Sequence, residues 1–263
     1  MFKMRNLTVA VSAALALGAA SQAFAAPVYT VDPTSIPGSG GALFDATQAT
    51  GSSTARSQAL GGGLYSATGY LQVLGFTNDG SAVAGGISRV NVDYGLYATF
   101  TQTFDCGGPL GIGVTCSVTS LNLSLFADPG NTNTFTQSTL AADPFVTDNG
   151  AADILLATTD TVFAGLIGLN ALGGAFENVT TNFLLTAAGM AYFVDPDPFY
   201  DVAFSAFNNT SQGVECNTAA CDDIVSITQE TGTVDFNAVP EPGTLALLGL
   251  AFTGMGLVRR RRA

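Results

Sequence analysis

The chain has 263 residues, twenty of them acidic and eight basic, which gives a formal charge of −12, and it contains no histidine. A cysteine nucleophile is therefore excluded for lack of a base, and with no lysine beyond Lys3 a serine nucleophile lacks its usual activator. No glycine-rich phosphate loop precedes a lysine, so the common nucleotide-binding loop is absent as well.

The N-terminus has the three parts of a secretory signal peptide. Lys3 and Arg5 form a positively charged start, residues 7–20 are apolar, and an Ala-Phe-Ala cleavage pattern ends at Ala25. Cleavage after Ala25 leaves Ala26 as the new N-terminus. We therefore expect export through the Sec translocon and removal of the leader by signal peptidase.

The region between the two ends is strongly acidic. Residues 26–240 hold nineteen carboxylates and only two cations, Arg56 and Arg89, for a formal charge of −17. Such a surface cannot neutralise phosphates, so nucleic-acid binding is excluded. Anionic lipids and anionic polysaccharides are repelled as well, unless a divalent cation bridges them. Solubility is the simpler explanation of the acidity.

Residues 26–63 are rich in glycine, serine and threonine and poor in bulky apolar side chains. They predict an extended lead-in with one short strand at 42–46. Regular structure is expected from residue 64 to 76, where aromatic and β-branched residues concentrate before an Asn-Asp-Gly turn at 78–80. We therefore place the main domain at residues 64–237.

Residues 90–104 alternate between apolar and polar side chains, which predicts a strand with one dry and one wet face. The expected inward residues occupy even positions: Val90, Val92, Tyr94, Leu96, Ala98, Phe100 and Phe104. Tyr97 is expected on the outer face among threonines, where it either stacks on a sugar or packs against a neighbouring strand. Residues 120–126 repeat the pattern, with Leu121, Leu123 and Leu125 inward.

After a turn at 128–130, further strands are predicted at 154–158, 179–187, 199–207, 224–228 and 233–236. Residues 161–169 fit a strand or a helix equally well. Two of these strands have an apolar face, formed by Val179, Thr181, Phe183, Leu185 and Ala187 in one and by Tyr200, Val202, Phe204 and Ala206 in the other. Many strands, frequent turns and no fixed repeat predict an all-β fold, an antiparallel β-sandwich of jelly-roll-like or Ig-like type.

The four cysteines, Cys106, Cys116, Cys216 and Cys221, all lie between the two ends. An even number in an exported chain predicts disulfides. Of the three possible pairings, Cys106–Cys116 and Cys216–Cys221 are favoured, because each closes a short loop with glycine or small polar residues. A four-cysteine zinc site is the alternative, although the spacings are not the Cys-x-x-Cys pairs that such sites prefer.

Clusters of aspartate are the remaining candidates for a site. Asp195, Asp197 and Asp201 lie close in sequence, and Asp222 and Asp223 are adjacent. Calcium takes carboxylate and carbonyl oxygens, so Asp195, Asp197 and Asp201 are a candidate calcium site, although no EF-hand spacing occurs. Paired carboxylates also serve glycosidases. The structural alternative for all five is the capping of turns. Apart from calcium at this candidate site, no cofactor is expected.

The last 25 residues have three parts. Val239, Pro240, Glu241 and Pro242 form an extended strip, because two prolines keep it out of a helix. The next sixteen residues carry no charge and reach roughly 24 Å as a helix, somewhat less than the ~30 Å hydrocarbon core. The end is a basic cluster of Arg259, Arg260, Arg261 and Arg262. Because positive flanks stay in the cytoplasm, the tail is predicted to be a weak transmembrane helix with the preceding domain outside; a buried core helix is the alternative.

These three parts, in this order, resemble the PEP-CTERM sorting signal of Gram-negative bacteria, over residues 238–263. The resemblance implies processing near the Pro-Glu-Pro by an exosortase, a membrane-embedded enzyme similar to cysteine transpeptidases. It further implies an intermediate in the periplasm and inner membrane, followed by transfer to the cell surface or extracellular matrix. Contact with the membrane is then expected only through the tail, before processing.

Short stretches of the central region resemble the flocculation-associated PEP-CTERM proteins. These stretches are Tyr94–Ala98, Leu125–Pro129, Asp153–Ala157 and Phe183–Tyr200. The resemblance implies a surface or matrix protein that helps cells to cohere in flocs or biofilm with exopolysaccharide. We therefore expect an exported protein that is not an enzyme, and the alternative is a carbohydrate-binding module or calcium-dependent adhesin.

Overall fold

The computed structural model describes residues 27–237, so the predicted signal peptide, with Ala25 and Ala26, and the predicted sorting segment lie outside the described range. The strands are β1 (Tyr29–Val31), β2 (Phe44–Ala46), β3 (Gln48–Gly61), β4 (Leu64–Asn78), β5 (Ser81–Ala82), β6 (Tyr94–Asp105), β7 (Thr115–Pro129), β8 (Thr134–Thr136), β9 (Phe145–Thr147), β10 (Ile154–Thr159), β11 (Val162–Leu169), β12 (Ala175–Asn182), β13 (Leu184–Leu185), β14 (Phe193–Asp195), β15 (Val202–Asn208), β16 (Val214–Cys216) and β17 (Ile224–Asn237). The helices are short: α1 (Gly85–Ser88) and α2 (Ala187–Tyr192).

Eight of the strands form one antiparallel sheet that closes on itself. In spatial order these are β11, β12, β15, β17, β3, β4, β6 and β7, and β7 pairs with β11 to complete the ring. Ile167 of β11 stands opposite Cys116 of β7 at this junction, and the rest of the same edge of β7 pairs with β10. Closure gives hydrogen-bond partners to the edges that an open sheet would leave exposed.

The all-β, antiparallel prediction is confirmed, but a single closed sheet replaces the predicted two-sheet sandwich. Five of the eight strands, β3, β4, β6, β7 and β17, have 12 to 15 residues. Strands of this length twist and curve around one interior, so the inner face of one side of the sheet packs against the inner face of the other. The predicted alternation of dry and wet faces fits either arrangement.

The predicted lead-in is wrong for residues 48–61, which form β3 between β4 and β17. The side chains that β3 turns inward are small, as Ala49, Ser53 and Ala55 illustrate. A search for bulky apolar residues cannot detect such a strand. The predicted boundary at residue 63 falls in the glycine turn of the β3–β4 hairpin, whose three residues have φ of 94°, 65° and 88°. The short strand predicted at 42–46 is confirmed as β2.

Strand β6 keeps its predicted inward face but begins later than predicted. Arg89 and Asn91 both adopt a φ of 59°, which interrupts the extended chain before Tyr94. From Tyr94 to Phe104 the even positions face the interior. The ambiguous residues 161–169 form the strand β11.

Two predictions in the second half of the chain are corrected. The strand predicted at 179–187 ends at Asn182: Leu184 and Leu185 pair with β10 instead, as β13, and Thr186 then starts helix α2 by accepting a hydrogen bond from the amide of Gly189. On β15 the interior receives Ala203, Ser205 and Phe207 rather than the apolar face predicted on the even positions. Both faces of this strand are largely apolar, so its pairing with β12 and β17 decides which one turns inward.

A three-stranded sheet, in the order β14-β1-β2, packs against the end of the closed sheet at which β4 and β17 finish. Tyr29 of β1 lies edge-on to Phe236 of β17, with ring centroids 5.1 Å apart. Phe193 of β14 adds to the same aromatic cluster. This end of the interior is thereby closed by aromatic rings.

The interior contains two apolar clusters. One lies toward the three-stranded sheet and includes Tyr29, Phe76 and Tyr94; the other lies toward the opposite end and includes Tyr65 and Phe104. Each cluster encloses a cavity, and the same two glutamates, Glu177 of β12 and Glu230 of β17, border both cavities. A polar layer therefore crosses the interior between the two apolar clusters.

Candidate functional site

The segment that joins β7 to β10, residues 130–153, lies over the outer face of the closed sheet, and we call it the arm. It contains the β8–β9 hairpin. Phe135 of β8 packs against Tyr70 and Tyr97, with ring centroids 5.3 and 5.5 Å apart. The arm therefore covers part of the face that alternation assigns to solvent.

Tyr97 points outward as predicted, but it is 5% exposed because the arm covers it. Its ring stacks on Phe126 of β7, and its hydroxyl donates a hydrogen bond to Asp153. Burial is the first cause that raises the pKa of the Tyr97 hydroxyl. The Asn133 amide also donates to Asp153, at 2.9 and 3.0 Å. Tyr97 thus anchors both ends of the arm. Of the two roles predicted for it, packing against a neighbouring strand is the one observed.

A second anchor is a buried hydroxyl cluster between the arm and strands β3 and β17. Ser138 of the arm lies 2.9 Å from the Thr54 hydroxyl and 2.8 Å from the Ser226 hydroxyl. Thr54 also accepts from the Ser138 amide and donates to the Ile227 carbonyl. Nearby, Arg56 forms an ion pair with Asp143 at 3.1 Å.

Between the arm and the sheet runs a groove of about 520 Å³, which we call the outer groove. Its floor is formed by hydroxyl and amide side chains of β4, β6 and β7: Thr68, Thr99, Thr101, Asn122 and Ser124. Phe145 of the arm forms part of its wall and is 54% exposed. The described lining of this groove carries no charged side chain.

The outer groove thus combines an exposed aromatic ring with neutral donors and acceptors of hydrogen bonds. Such a surface suits a neutral, hydroxyl-rich ligand, because the ring contacts C–H faces and the hydroxyl and amide groups satisfy the hydroxyls of the ligand. The exposed ring belongs to Phe145 and not to Tyr97, which the sequence had suggested. No local pattern marks Phe145, because its role depends on where the arm folds.

The second site is the interior cavity, about 90 Å³, on the other side of the same strands. Its walls are mostly apolar, and Leu121, Leu123 and Leu125 face it as predicted. At this cavity the Ser53 hydroxyl donates to the Glu230 carboxylate at 2.7 Å. The Gln102 amide, which borders a second cavity of about 20 Å³, donates to Glu177 at 2.9 Å.

Burial governs the protonation of this pair of glutamates. Desolvation, followed by the charge of Glu177, raises the pKa of Glu230 from 4.5 to about 7. Desolvation likewise raises the pKa of Glu177, and the hydrogen bond from Gln102 opposes this shift. Two carboxylates in a low-dielectric interior disfavour each other's charge, so the pair retains a proton well above the usual range of glutamate.

Sequence analysis missed both glutamates. Glu177 lies two residues before Val179, on the same face as Val179 and Thr181, so extending that alternation backward would have placed it inside. Glu230 follows an irregularity in the pairing of β17 with β3, between Ile227 and Glu230, where Gln229 has a φ of 59°. That irregularity changes which positions face inward and leaves no clear sequence signal.

Both cations of the described chain are already paired on the outside. Arg56 pairs with Asp143, and Arg89 contacts Asp93 with its Nε at 2.7 Å. The hydrogen bond from Arg89, followed by that from the Gly40 amide, lowers the pKa of Asp93 to about 2. Residues 27–237 therefore offer no spare cation to the interior glutamates.

The predicted acidic candidates form no group of three carboxylates within residues 27–237. Within residues 27–237 no group of three or more acidic or cysteine side chains is arranged to hold a metal ion, so the structure lends Asp195, Asp197 and Asp201 no support as a calcium site. Asp222 accepts from the Thr218 hydroxyl at 2.6 Å, and Asp223 accepts from the Asn217 amide at 2.7 Å. These two residues close a turn, which is the role predicted for them as the alternative to a functional site.

The favoured disulfides are both present. Cys106 bonds to Cys116 across the loop between β6 and β7, and Cys216 bonds to Cys221 after β16. The four cysteines are therefore not available as zinc ligands. Both bridges lie beside the second apolar cluster, at the end of the closed sheet opposite the three-stranded sheet.

Across residues 27–237, no helix has the length and apolar character needed to cross a membrane. The predicted transmembrane helix falls on residues outside the described range, as do Val239, Pro240, Glu241 and Pro242 and the four arginines from Arg259 to Arg262.

Residues 238–262 match the PEP-CTERM protein-sorting motif. The chain is a PEP-CTERM protein. The motif implies an exported protein that an exosortase processes at the membrane, in agreement with the resemblance found in the tail. No curated protein and no solved structure matches the chain.

Proposed function

We propose that this PEP-CTERM protein is a non-enzymatic component of the cell surface or extracellular matrix that holds neutral exopolysaccharide in the outer groove. In this role it would add to the cohesion of a biofilm or floc. The observation that carries the proposal is the lining of the groove, in which an exposed phenylalanine faces a floor of hydroxyl and amide groups without any charge.

The charge of the protein favours a neutral glycan over an anionic one. A central region with a formal charge of −17 repels polyanions, whereas an uncharged sugar incurs no such penalty in an uncharged groove. The resemblance to flocculation-associated proteins points the same way. Two of its stretches, residues 94–98 and 125–129, belong to β6 and β7, the strands whose outer faces form part of the groove floor.

A binding role without catalysis is supported by what the chain and the groove lack. The sequence has no histidine and no lysine beyond Lys3. The described lining of the outer groove has no carboxylate that could serve as a glycosidase acid or nucleophile. Glu177 and Glu230 face the interior cavity, on the other side of the sheet.

The test is retention of the exported protein on purified exopolysaccharide, with calcium and with a chelator. We expect Phe145→Ala to lower retention by about tenfold, as truncation of an exposed aromatic anchor does. Phe163→Ala is the matched control, because Phe163 is 58% exposed on β11 and does not line the groove. Equal retention of the two variants would contradict the proposal, and retention that requires calcium would favour the calcium-dependent adhesin.

A further inference from the structure

The interior of the closed sheet contains polar atoms that the described protein leaves without partners. The Thr159 hydroxyl and the Gln102 side-chain carbonyl are buried, and neither has a hydrogen-bond partner in the described protein. Thr159 is 5% exposed and borders the interior cavity, and Gln102 is 2% exposed and borders the second, smaller cavity of about 20 Å³. Both cavities are also bordered by Glu177 and Glu230. Buried polar groups are normally satisfied, so these atoms indicate a missing partner.

A partner that donates hydrogen bonds fits these groups. The unpartnered atoms are one amide carbonyl and one hydroxyl, both of which can accept, and the neighbouring glutamates accept as well once they are ionised. Neither Arg56 nor Arg89 supplies a positive charge, since both are paired on the outside. The apolar side chains around the carboxylates, such as Leu123 and Phe100, require in addition that the rest of the partner be apolar.

We propose that the interior cavity binds a small primary aliphatic amine in its ammonium form, with the ammonium group at Glu177 and Glu230 and the alkyl group against the leucines. An ammonium group has three donors, which matches the acceptors around it. A volume of 90 Å³ corresponds to on the order of six to nine water-sized spheres. It therefore limits the ligand to a chain of about four carbons.

A divalent metal fits the cavity less well than an amine. Calcium takes about six to eight oxygen ligands, whereas most of the cavity wall is formed by leucine, phenylalanine, alanine and valine. Within residues 27–237, moreover, no three acidic or cysteine side chains are grouped to hold a metal ion.

At its aromatic end the cavity is separated from the outside by two phenylalanine rings, which would have to move aside to admit a ligand. Phe183 and Phe193 border the interior cavity on one side and an open groove of about 430 Å³ on the other. Asp197 and Asp201 line that open groove, and both are exposed. Their charge favours the approach of a cation to the two rings that separate it from the cavity.

The experiment is isothermal titration of the exported protein, purified from cells that produce it, with n-butylamine, n-butanol and butyrate. At about pH 8 the amine is still protonated, so the three probes share a tail and differ in the head group. We expect saturable binding of n-butylamine alone, and a loss of affinity on the order of tenfold in Glu230→Gln. Glu215→Gln, at an exposed glutamate of β16, is the matched control and should bind like the unaltered protein.

A second variant reduces the volume of the cavity without changing its charge. Ala98 borders the cavity and is 1% exposed, so Ala98→Val should fill the space and abolish binding with both glutamates retained. The proposal is overturned if n-butanol binds as tightly as n-butylamine, or if Glu215→Gln weakens binding as much as Glu230→Gln. It is equally overturned if n-butylamine shows no saturable binding up to about 10 mM, because the cavity then holds water only.

Discussion

Glu177 and Glu230 lie inside the closed sheet without a cation of the described chain beside them. Burial penalises the charged form of each, and the charge of Glu177 adds to the penalty at Glu230. The folded chain therefore keeps a proton that the unfolded chain gives up. The stability of the fold must depend on pH through these two residues.

We predict that Glu230→Gln removes part of this pH dependence. The pKa of Glu230 is raised from 4.5 to about 7, so between these values the folded state binds more protons than the unfolded state, and the free energy of unfolding falls as pH rises. The loss is on the order of 3 kcal/mol and levels off about one pH unit above the folded pKa of about 7. Chemical denaturation from pH 4 to 8 measures it, with exposed Glu215→Gln as control. Parallel curves for Glu230→Gln and the unaltered protein would contradict the prediction.

The arm is an element of a different kind from the closed sheet. Its hairpin is a separate two-stranded sheet, so its position depends on side-chain contacts rather than on a ladder of backbone hydrogen bonds. Thr54, Ser138 and Ser226 are 1%, 5% and 1% exposed, and they form the buried part of those contacts. Because the arm supplies one wall of the outer groove, these hydroxyls position a surface that they do not line.

We predict that Thr54→Val loosens the arm. Valine keeps the shape of threonine, but it leaves the Ser138 amide without its acceptor, and a buried polar group without a partner costs about 1–3 kcal/mol. The free energy of unfolding should fall by that amount, and amide hydrogen exchange should accelerate at residues 134–147. Thr115→Val, at an exposed position of β7, should change neither quantity. Unchanged exchange in the arm of Thr54→Val would refute this role of the hydroxyl cluster.

At the scale of the whole molecule, two apolar ends flank an acidic closed sheet that carries two disulfides. The sorting motif at residues 238–262 implies an exported protein that is processed at the membrane, and this motif lies outside the folded region at residues 27–237. Sorting and the proposed glycan binding therefore involve separate parts of the chain and can be tested independently.

We predict that deletion of Val239 to Ala263 abolishes correct sorting, because the exosortase then has no motif to process. Immunodetection on intact cells measures display of the protein, and a settling assay measures flocculation. Phe145→Ala, which leaves the tail intact, should be sorted normally. Normal display and normal flocculation by the deletion strain would disprove the prediction.

The sequence by itself determined the features that depend on neighbouring residues. Alternation over β6 and β7 placed Leu96, Leu121 and Leu125 inside, because a strand turns successive side chains to opposite faces. Short loops between cysteines identified the Cys106–Cys116 and Cys216–Cys221 bridges, and the motif at the C-terminus is a contiguous string of residues. None of these inferences requires knowledge of what lies across the molecule.

Only the tertiary structure decided the features that depend on distant pairing. The small inward residues of β3 gained their role from the strands on either side, and the irregularity before Glu230 turned a glutamate into an apolar interior. Folding of the arm buried Tyr97 and exposed Phe145. Pairing of β7 with β11 closed one sheet where two had been predicted. Pairings between distant segments are chosen by the free energy of the whole assembly, and a local pattern that is compatible with several of them cannot select one.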